Sequence, residues 1–227
     1  MVFMRFIYFF DVETLEIIGI TLKMSLASTS IATVLGIIFG LFLERNSFPG
    51  KRVVVRVCRT LMAMPSVVAG LIVYLLLMRK GPFGSWNLLF TVRAMVIAQV
   101  ILITPVVTGM IYTYALRSAP AIRAFARTMG ASRFQTQFLF MKEMSHEIYF
   151  SVITAFSRSI SEVGAVMIVG GNIQHKTRTM TTTISMLRNL GNFQQGVTLG
   201  IILLVLTFIL QSLADFLHRG EVSEENL

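Results

Sequence analysis

The chain has 227 residues, of which 55% are hydrophobic and only 14% are charged, and its mean hydropathy is +0.74. A soluble domain of this size carries about 25% charged residues. The composition therefore excludes a soluble globular protein and predicts a one-domain integral membrane protein. The net charge of +9 does not indicate a nucleic-acid partner, because the basic residues lie between apolar runs, where membrane topology explains them. The single cysteine, Cys58, excludes a disulfide framework within one chain.

The N-terminal residues 1–20 are predicted to form an interfacial segment outside the cytoplasm, with a helix over residues 3–16. A cleaved signal peptide does not fit these residues. The apolar run Phe6–Phe10 is too short, and Glu13 and Glu16 follow it where small residues should mark a cleavage site.

Five apolar runs follow, and each predicts a membrane-spanning helix. About 20 residues at about 1.5 Å per residue cross the roughly 30 Å hydrocarbon core. Pro105, near the middle of the third run, predicts a kink. The predicted spans are Met24–Leu43, Leu61–Met78, Ala94–Leu116, Ile148–Gly171 and Val197–Ala214. They make up a transmembrane domain over residues 21–217, followed by a C-terminal tail over residues 218–227.

Orientation follows from the distribution of Lys and Arg. The loops on one side of the predicted spans, 44–60 and 117–147, contain more basic residues than the loops on the opposite side. This bias predicts that both loops and the C-terminus lie in the cytoplasm. With five spans, the N-terminus then lies outside.

Small residues recur at helical spacing in three of the spans. Such stripes allow helix backbones to approach closely in lipid. They mark either packing within one chain or a helix face at a subunit interface or substrate path. The stripes are Gly36 with Gly40, Gly196 with Gly200, and Ser157 with Ser161 and Ala165.

The cytoplasmic segment over residues 119–145, here called the hairpin, is predicted to contain two helices. Ile122, Phe125 and Met129 fall on one apolar helical face. Pro120 suits the first turn of this helix, and Gly130 suits its C-terminal end. Arg123 and Arg127 lie four residues apart on another face.

The second helix of the hairpin is predicted to begin at Ser132. Ser132 and Gln135 have the spacing of a capping box. Phe134, Phe138 and Met141 again share one face. The hairpin therefore offers apolar and aromatic side chains to the groove of a partner.

The sequence Ala124–Gly130 resembles the signature E-A-A-x-x-x-G of ABC-importer permeases. Ala126 and Gly130 match the signature, whereas Ala124 and Phe125 stand at its first two positions. In that family this short cytoplasmic helix docks in a groove of the ATPase subunit. The resemblance implies a coupling role for Ile122, Arg123, Phe125, Ala126, Arg127, Gly130, Ala131, Ser132, Phe134 and Phe138.

The stretch Phe156–Ile173, followed by Thr177–Ile184, is similar to the tungstate-type branch of the oxyanion permeases. The sequences Met64–Leu71 and Gly81–Gly84 also fit that branch. The resemblance covers nearly the whole chain. It implies an all-α type I ABC-importer permease fold with about five transmembrane helices and a cytoplasmic coupling helix.

The resemblance also implies a function and a set of partners. The chain would be the permease subunit of an ATP-driven importer that translocates an oxyanion by alternating access, with tungstate expected first and molybdate or sulfate as alternatives. Its partners would be a second copy of itself, two ABC ATPase subunits that hold the ATP-Mg, an extracytoplasmic anion-binding protein and membrane lipid. Its location would be the bacterial or archaeal cytoplasmic membrane.

Arg158 and Glu162 are the two charges inside the fourth predicted span. A charge at the centre of a span costs about 2.5–3.5 kcal/mol on insertion scales. Their spacing of four residues predicts that they pair with each other. The pair is either a structural lock or part of a translocation path. In a path, Arg158 would attract a dianion, Glu162 would moderate the attraction, and Ser157 and Ser161 would donate hydrogen bonds.

The outer end of the fourth span holds further candidates for the path or its gate. Gly164, Gly170, Gly171 and Asn172 would supply flexible backbone and an amide donor, although an ordinary helix stop explains them equally well. The threonines that follow predict a polar outer loop that faces the binding protein or caps the next helix. They are Thr177, Thr179, Thr181, Thr182 and Thr183.

The sequence encodes neither a nucleotide site nor a metal site. Gly170–Thr177 has His175 where a phosphate loop requires glycine. The three histidines lie in different loops, without metal-ligand spacing. We therefore expect no cofactor in this chain. A membrane-embedded enzyme with Arg158, Glu162 and Asp215 as a cluster is the rival interpretation, and it lacks any further ionisable residue inside the spans.

Overall fold

The computed structural model describes the backbone of residues 12–224 and the side chains of residues 12–216. Residues 3–11 of the predicted interfacial helix lie outside the described part, and residues 12–16 begin the first long helix. The described residues form α-helices joined by turns, with one 3₁₀ turn at Gly84–Trp86 and no strand. The helices are α1 (Val12–Arg45), α2 (Lys51–Met62), α3 (Ser66–Leu77), α4 (Val92–Thr128), α5 (Arg133–Glu143), α6 (Ser145–Ile160), α7 (Gly164–Gly170), α8 (Met180–Asn189) and α9 (Phe193–Glu224).

Two of the five predicted spans are broken. Helices α2 and α3 meet at an angle of 106°, and helices α6 and α7 meet at 56°. The first break falls at Pro65, which lacks the N–H needed to continue a helix and forces the residue before it out of the helical region. Three described helices, α1, α4 and α9, are long and apolar enough to cross a membrane, and the number rises to five if each bent pair counts as one span.

Helix α4 runs through both of its prolines, Pro105 and Pro120. The prediction that Pro120 starts a separate helix is therefore wrong. Continuity keeps Ala115, Ala119 and Ala126 on one buried face of the helix. Packing of this face offsets the cost of a proline inside a helix, which is about 3 kcal/mol.

The described residues divide into two compact units, and the division falls inside α1, α4 and α6. One unit contains the described parts of 1–28, 65–99 and 157–227. One of its apolar cores gathers Met24 with residues of α3, α4 and α7, including Val73, Met95 and Val166. A smaller core joins Ile17 to α8 and α9 through Met180, Leu199 and Ile202.

The other unit contains residues 29–64 and 100–156. Its core joins α1 and α4 to the helices that follow, with Ile103, Val107, Ile111, Phe140 and Met144 buried together. In lipid, such side chains stabilise the unit through close van der Waals packing rather than through removal from water. The start of α6 is therefore packed in the same core as most of α4.

The first predicted glycine stripe is confirmed as packing within one chain. A Cβ on Gly36 would lie 2.5 Å from Val107 Cβ, and a Cβ on Gly40 would lie 2.8 Å from Ile111 Cγ2. Only glycine permits this approach of α1 to α4. The stripe Gly196 with Gly200 is different, because no described atom lies within 4 Å of a Cβ placed on Gly200.

Candidate functional site

The break between α6 and α7 is organised around Glu162. This residue is 9% exposed, and its carboxylate oxygen Oε1 accepts a hydrogen bond of 3.2 Å from the backbone N–H of Ala165 in the first turn of α7. Its backbone carbonyl accepts the hydroxyl of Thr181 at 2.8 Å. A carboxylate at a helix N-terminus is stabilised by the free N–H groups there. Glu162 therefore caps α7 and anchors the start of α8.

The predicted ion pair between Arg158 and Glu162 does not form. Arg158 is in α6, whereas Glu162 lies after the end of that helix, so the two side chains do not share one helical face. The Nε atom of Arg158 is buried, without a hydrogen-bond partner among the described residues. No ion pair in the described part of the chain includes Arg158. The guanidinium is thus left without the counter-ion that the spacing predicted.

The predicted stripe of Ser157, Ser161 and Ala165 is also wrong, because the break separates Ala165 from α6. Ser157 Oγ accepts a hydrogen bond of 2.7 Å from Gln211 Nε2 on α9. The Ser161 side chain is exposed and donates to the backbone carbonyl of Ser157 at 2.8 Å. Ala165 is buried against α3, where a Cβ on Gly70 would lie 2.8 Å from its Cα.

A buried polar cluster that was not predicted from the sequence lies next to Arg158 in the chain. The hydroxyls of Ser28 and Ser159 each lie 2.6 Å from Gln99 Oε1, and they lie 2.8 Å from each other. Gln99 Nε2 donates to the backbone carbonyl of Ser159 at 2.9 Å. All three side chains are fully buried. A glutamine inside the apolar run of α4 was the signal for such a cluster, since uncharged polar residues join helices in lipid.

The polar outer loop predicted for the threonines is not exposed. Thr177, Thr179 and Thr181 are buried, as are the two threonines that follow. Thr179 caps α8 by a capping box with Thr182, which confirms the capping alternative. Thr177 donates its hydroxyl to the carbonyl of Gly170 at 2.6 Å. The segment therefore fastens the end of α7 to the start of α8.

The predicted gate residues lie at the two ends of α7. A Cβ on Gly164 would lie 2.8 Å from Ser66 Oγ, and a Cβ on Gly170 would lie 2.8 Å from Met95 Sδ. Gly171 and Asn172 follow the helix with left-handed backbone, at φ values of 72° and 50°. The Oδ1 atom of Asn172 is buried without a hydrogen-bond partner among the described residues.

The hairpin has the turn that the sequence predicted. Gly130 adopts a φ of 68° after the end of α4. The N–H of Ala131 donates to the carbonyl of Ala126 at 2.9 Å, and the N–H of Gly130 donates to that of Arg127 at 3.1 Å. These two bonds define a Schellman motif with glycine at its left-handed position. Ser132 and Gln135 then form the predicted capping box of α5.

The apolar face predicted for the first helix of the hairpin is divided. Ile122 packs on the core of its unit together with the buried Ala126, whereas Phe125 and Met129 are exposed. The reason is that the buried face of α4 continues from the preceding turns of the same helix. On α5, the predicted aromatic pair is exposed, with Phe134 at 81% and Phe138 at 67%.

Arg123 forms a two-pronged ion pair with Glu44 at the end of α1. Its Nη1 and Nη2 atoms donate to the two carboxylate oxygens at 2.9 and 2.6 Å. Arg127, one turn later on α4, is exposed. The pair fixes Arg123 within its unit, while Arg127 stays on the surface with the exposed aromatic side chains.

The described residues offer no metal site, since no group of three His, Cys, Asp or Glu side chains lies close enough together there to hold an ion. What these residues do offer is a broken candidate membrane span with a half-buried arginine whose Nε atom is buried, and a helical hairpin with exposed aromatic side chains. A bent apolar helix pair and a surface hairpin of this kind suit a subunit of a membrane transporter.

Comparison with known families agrees with this class. Residues 32–221 match the family described as binding-protein-dependent transport system inner membrane component. The chain belongs to this family, whose members have the type I ABC-importer permease fold, and it is a multi-pass membrane protein. The predicted fold class is therefore confirmed.

Three relatives align along most of the chain. The tungstate uptake system permease protein of Peptoclostridium acidaminophilum is 39% identical over 209 residues, covering 92% of each chain. A probable anion ABC transporter permease protein of Haloferax volcanii is 39% identical over 197 residues, covering 84% of each chain. The tungstate uptake system permease protein of Campylobacter jejuni is 33% identical over 172 residues, covering 76% of this chain and 72% of the relative.

Proposed function

We propose that the chain is the permease subunit through which an ATP-driven importer moves a tetrahedral oxyanion, with tungstate as the first substrate. The observation that carries the proposal is the buried Nε of Arg158, which has no hydrogen-bond partner among the described residues. Glu162 does not neutralise it, because that carboxylate caps α7. The descriptions of the three relatives, two tungstate permeases and one anion permease, support the same class of substrate.

The chemistry of one guanidinium suits transient binding of a dianion. Two unit charges about 4 Å apart attract each other by about 4 kcal/mol at an effective dielectric constant of about 20. Loss of water from the anion opposes this gain. A single arginine therefore gives a site that the anion can enter and also leave. The buried cluster of Ser28, Gln99 and Ser159 holds the backbone next to Arg158 in place.

The break at residues 161–163 is the proposed joint for alternating access. Helix α7 is fastened to α8 through Thr177 and Thr181, and it packs closely on α3 at Gly70. Helix α6 begins two residues after the end of α5 and leads along the chain to the break. A displacement of the hairpin would thus be transmitted to Arg158 through α6.

The hairpin is the proposed docking site for two ATPase subunits, which would hold the ATP-Mg. Exposed phenylalanines are rare on surfaces that face only water, and aromatic side chains dominate binding energy at interfaces. Phe125, Phe134 and Phe138 supply such a surface here. A second copy of the chain, an extracytoplasmic anion-binding protein and surrounding lipid complete the proposed assembly. The N-terminus would lie outside and the C-terminus inside.

The test is uptake by the complete complex in proteoliposomes, with ATP inside and the binding protein outside. We expect Arg158→Gln to reduce tungstate uptake about 10- to 100-fold, because a charged hydrogen-bond donor is lost. Arg158→Lys should keep part of the activity, since it keeps the charge but loses the planar fork. Arg79→Gln removes an exposed arginine elsewhere and is the matched control.

Co-purification of the ATPase subunits with each variant shows whether assembly is intact. Normal uptake by an intact Arg158→Gln complex would overturn the role of Arg158 in the path. Competition by molybdate and sulfate in the same assay ranks the three oxyanions. Conversion of a substrate by the purified chain without an ATPase would instead favour a membrane-embedded enzyme.

A further inference from the structure

Helix α2 has two opposite faces of very different chemistry. Its basic face consists of Lys51, Arg52, Arg56 and Arg59. At 100° per residue, the exposed apolar side chains point the other way; they are Val53, Val54, Val57 and Leu61. None of the residues of α2 is buried. The proposed path does not use this helix, so its arginines have no assigned role.

Two neighbouring cavities are lined by residues of both α2 and α4. One cavity of about 540 Å³ is lined by Arg59 on α2 and by Tyr112 and Arg117 on α4, among others. The other, of about 800 Å³, is lined by the whole basic face and again by Tyr112. Arg59 borders both cavities. No Asp or Glu residue lines either of them.

The positive charge around these cavities is not neutralised within the described structure. The nearby carboxylate, that of Glu44, is engaged by both terminal nitrogens of Arg123. Lys51 places its Nζ 5.7 Å from the centre of the Tyr112 ring and 3.4 Å from the Glu44 backbone carbonyl. Arg59 and Arg117 take part in no ion pair among the described residues.

We propose that Arg59 and Arg117 form a second anion site, which takes a tetrahedral oxyanion of the transported class. Two guanidinium groups on facing helices present several N–H donors in planar forks, the arrangement that suits tetrahedral oxyanions. The absence of a carboxylate from the lining leaves the attraction unopposed. The cavities have ample room for an ion that keeps part of its water shell.

The geometry favours a soluble anion over a lipid headgroup. The apolar face of α2 lines a separate, largely apolar groove of about 440 Å³, bordered by Val54, Val57 and Leu61 on α2 and by Phe39 and Phe42 on α1. This is the side of α2 that suits an acyl chain. The basic face points away from that groove, so a lipid held there does not bring its phosphate between Arg59 and Arg117.

The site would act after the anion has left the path, and this part of the inference rests on the proposed function. Helix α2 belongs to the loop for which the distribution of basic residues predicts a cytoplasmic location. A cationic cavity there raises the local concentration of oxyanion on the release side.

The experiment measures equilibrium binding of tungstate to the full chain in phosphatidylcholine nanodiscs, by dialysis and elemental tungsten. All chains carry Arg158→Gln, so that the proposed path does not contribute. We expect Arg59→Gln with Arg117→Gln to weaken the remaining binding at least about tenfold. The corresponding pair of lysine substitutions should weaken it less, and Arg79→Gln with Arg93→Gln, which removes two exposed arginines elsewhere, should leave it unchanged.

Equal binding by the glutamine pair and its control would overturn the site. A second arm replaces part of the lipid with phosphatidylglycerol and omits tungstate. Loss of co-purified phosphatidylglycerol in the glutamine pair, with tungstate binding intact, would assign these arginines to lipid and also overturn the site. The binding experiment involves neither ATP nor transport. A wild-type complex that fails to import tungstate would therefore refute the proposed function but would not change the measured binding at Arg59 and Arg117.

Discussion

The hairpin and the broken fourth span are built in opposite ways. The turn of the hairpin is held by short-range bonds around Gly130 and Ser132, and the helix that follows leaves Phe134 and Phe138 exposed. In the broken span, bonds from Gln99 to Ser159 and from Thr181 to Glu162 join residues 60 and 19 positions apart, and both Gln99 and Glu162 are buried. The exposed side chains of the hairpin can therefore be replaced without unfolding the chain. In the broken span, replacing a buried polar group disturbs the several helices that it joins.

The largest effect is expected for Phe134→Ala combined with Phe138→Ala. We expect the affinity of the chain for its ATPase subunit to fall at least about 100-fold, because interface aromatics carry much of the binding energy. The thermal midpoint of the isolated chain should not move, because both side chains are exposed. The affinity is measured by titrating the ATPase onto nanodisc-bound chain. Phe193→Ala, which removes a phenylalanine that is 64% exposed on α9, is the control.

Unchanged affinity would mean that the hairpin does not dock the ATPase through these side chains. A lower thermal midpoint would mean that the two phenylalanines support the fold. Either result would contradict the interpretation of the hairpin as a binding surface that is independent of the fold, unlike the buried polar groups of the broken span.

The second prediction tests the close packing of the broken span. Gly70→Ala places a Cβ 2.8 Å from the Cα of Ala165, where backbone must move. We expect a loss of about 1–3 kcal/mol in the free energy of unfolding, as for other overpacked sites. Unfolding in detergent, followed by circular dichroism, measures it. Gly19→Ala is the matched control, because its Cβ meets no described atom within 4 Å, and equal stability of the two variants would contradict the prediction.

The third prediction concerns the buried polar cluster. Gln99→Leu leaves the hydroxyls of Ser28 and Ser159 with fewer partners, so we expect a loss of about 1–2 kcal/mol. Ser28→Ala alone should cost less than this. The double variant should cost less than the sum of the two, because both act on one network. Strict additivity in the same unfolding assay would show that the cluster is not a unit.

The smallest effect is expected for the ion pair at the base of the hairpin. Glu44→Gln removes the partner of Arg123; the side chain of Arg123 is 37% exposed and that of Glu44 is 8% exposed, so the pair is only partly accessible to water. Partly exposed ion pairs contribute about 0–1 kcal/mol. We therefore expect a small loss of stability that shrinks as salt is added, and no loss of ATPase binding. A loss as large as that of Gly70→Ala would show that this pair is part of the core.

The contrast also explains which predictions from the sequence were correct. Gly130, Ser132 and Gln135 act within one or two turns, and the left-handed turn and the capping box follow from local spacing alone. The stripe of Gly36 and Gly40 correctly predicted close helix packing, because small residues at helical spacing allow it. The pattern did not show that the partner is α4, at Val107.

The errors arose where tertiary structure overrides local pattern. The spacing of Arg158 and Glu162 indicates an ion pair only if the helix is unbroken. The helix breaks at 161–163, where the sequence has no proline from which the break could be predicted. Pro120 indicated a helix start, but packing of Ala119 and its neighbours carries α4 through it. The partners of Gln99 lie 60 and 71 residues away in sequence, so no local rule identifies them.

The length of α4 has a mechanical consequence. It is a single helix of 37 residues, and 11 of them follow Arg117, where its apolar run ends. At about 1.5 Å per residue this extension is an arm of roughly 17 Å with the Gly130 turn at its tip. A tilt of about 10° at the base of such an arm moves the tip by roughly 3 Å. Small rotations at the base of the arm and ångström-scale displacements at its tip are thus geometrically equivalent.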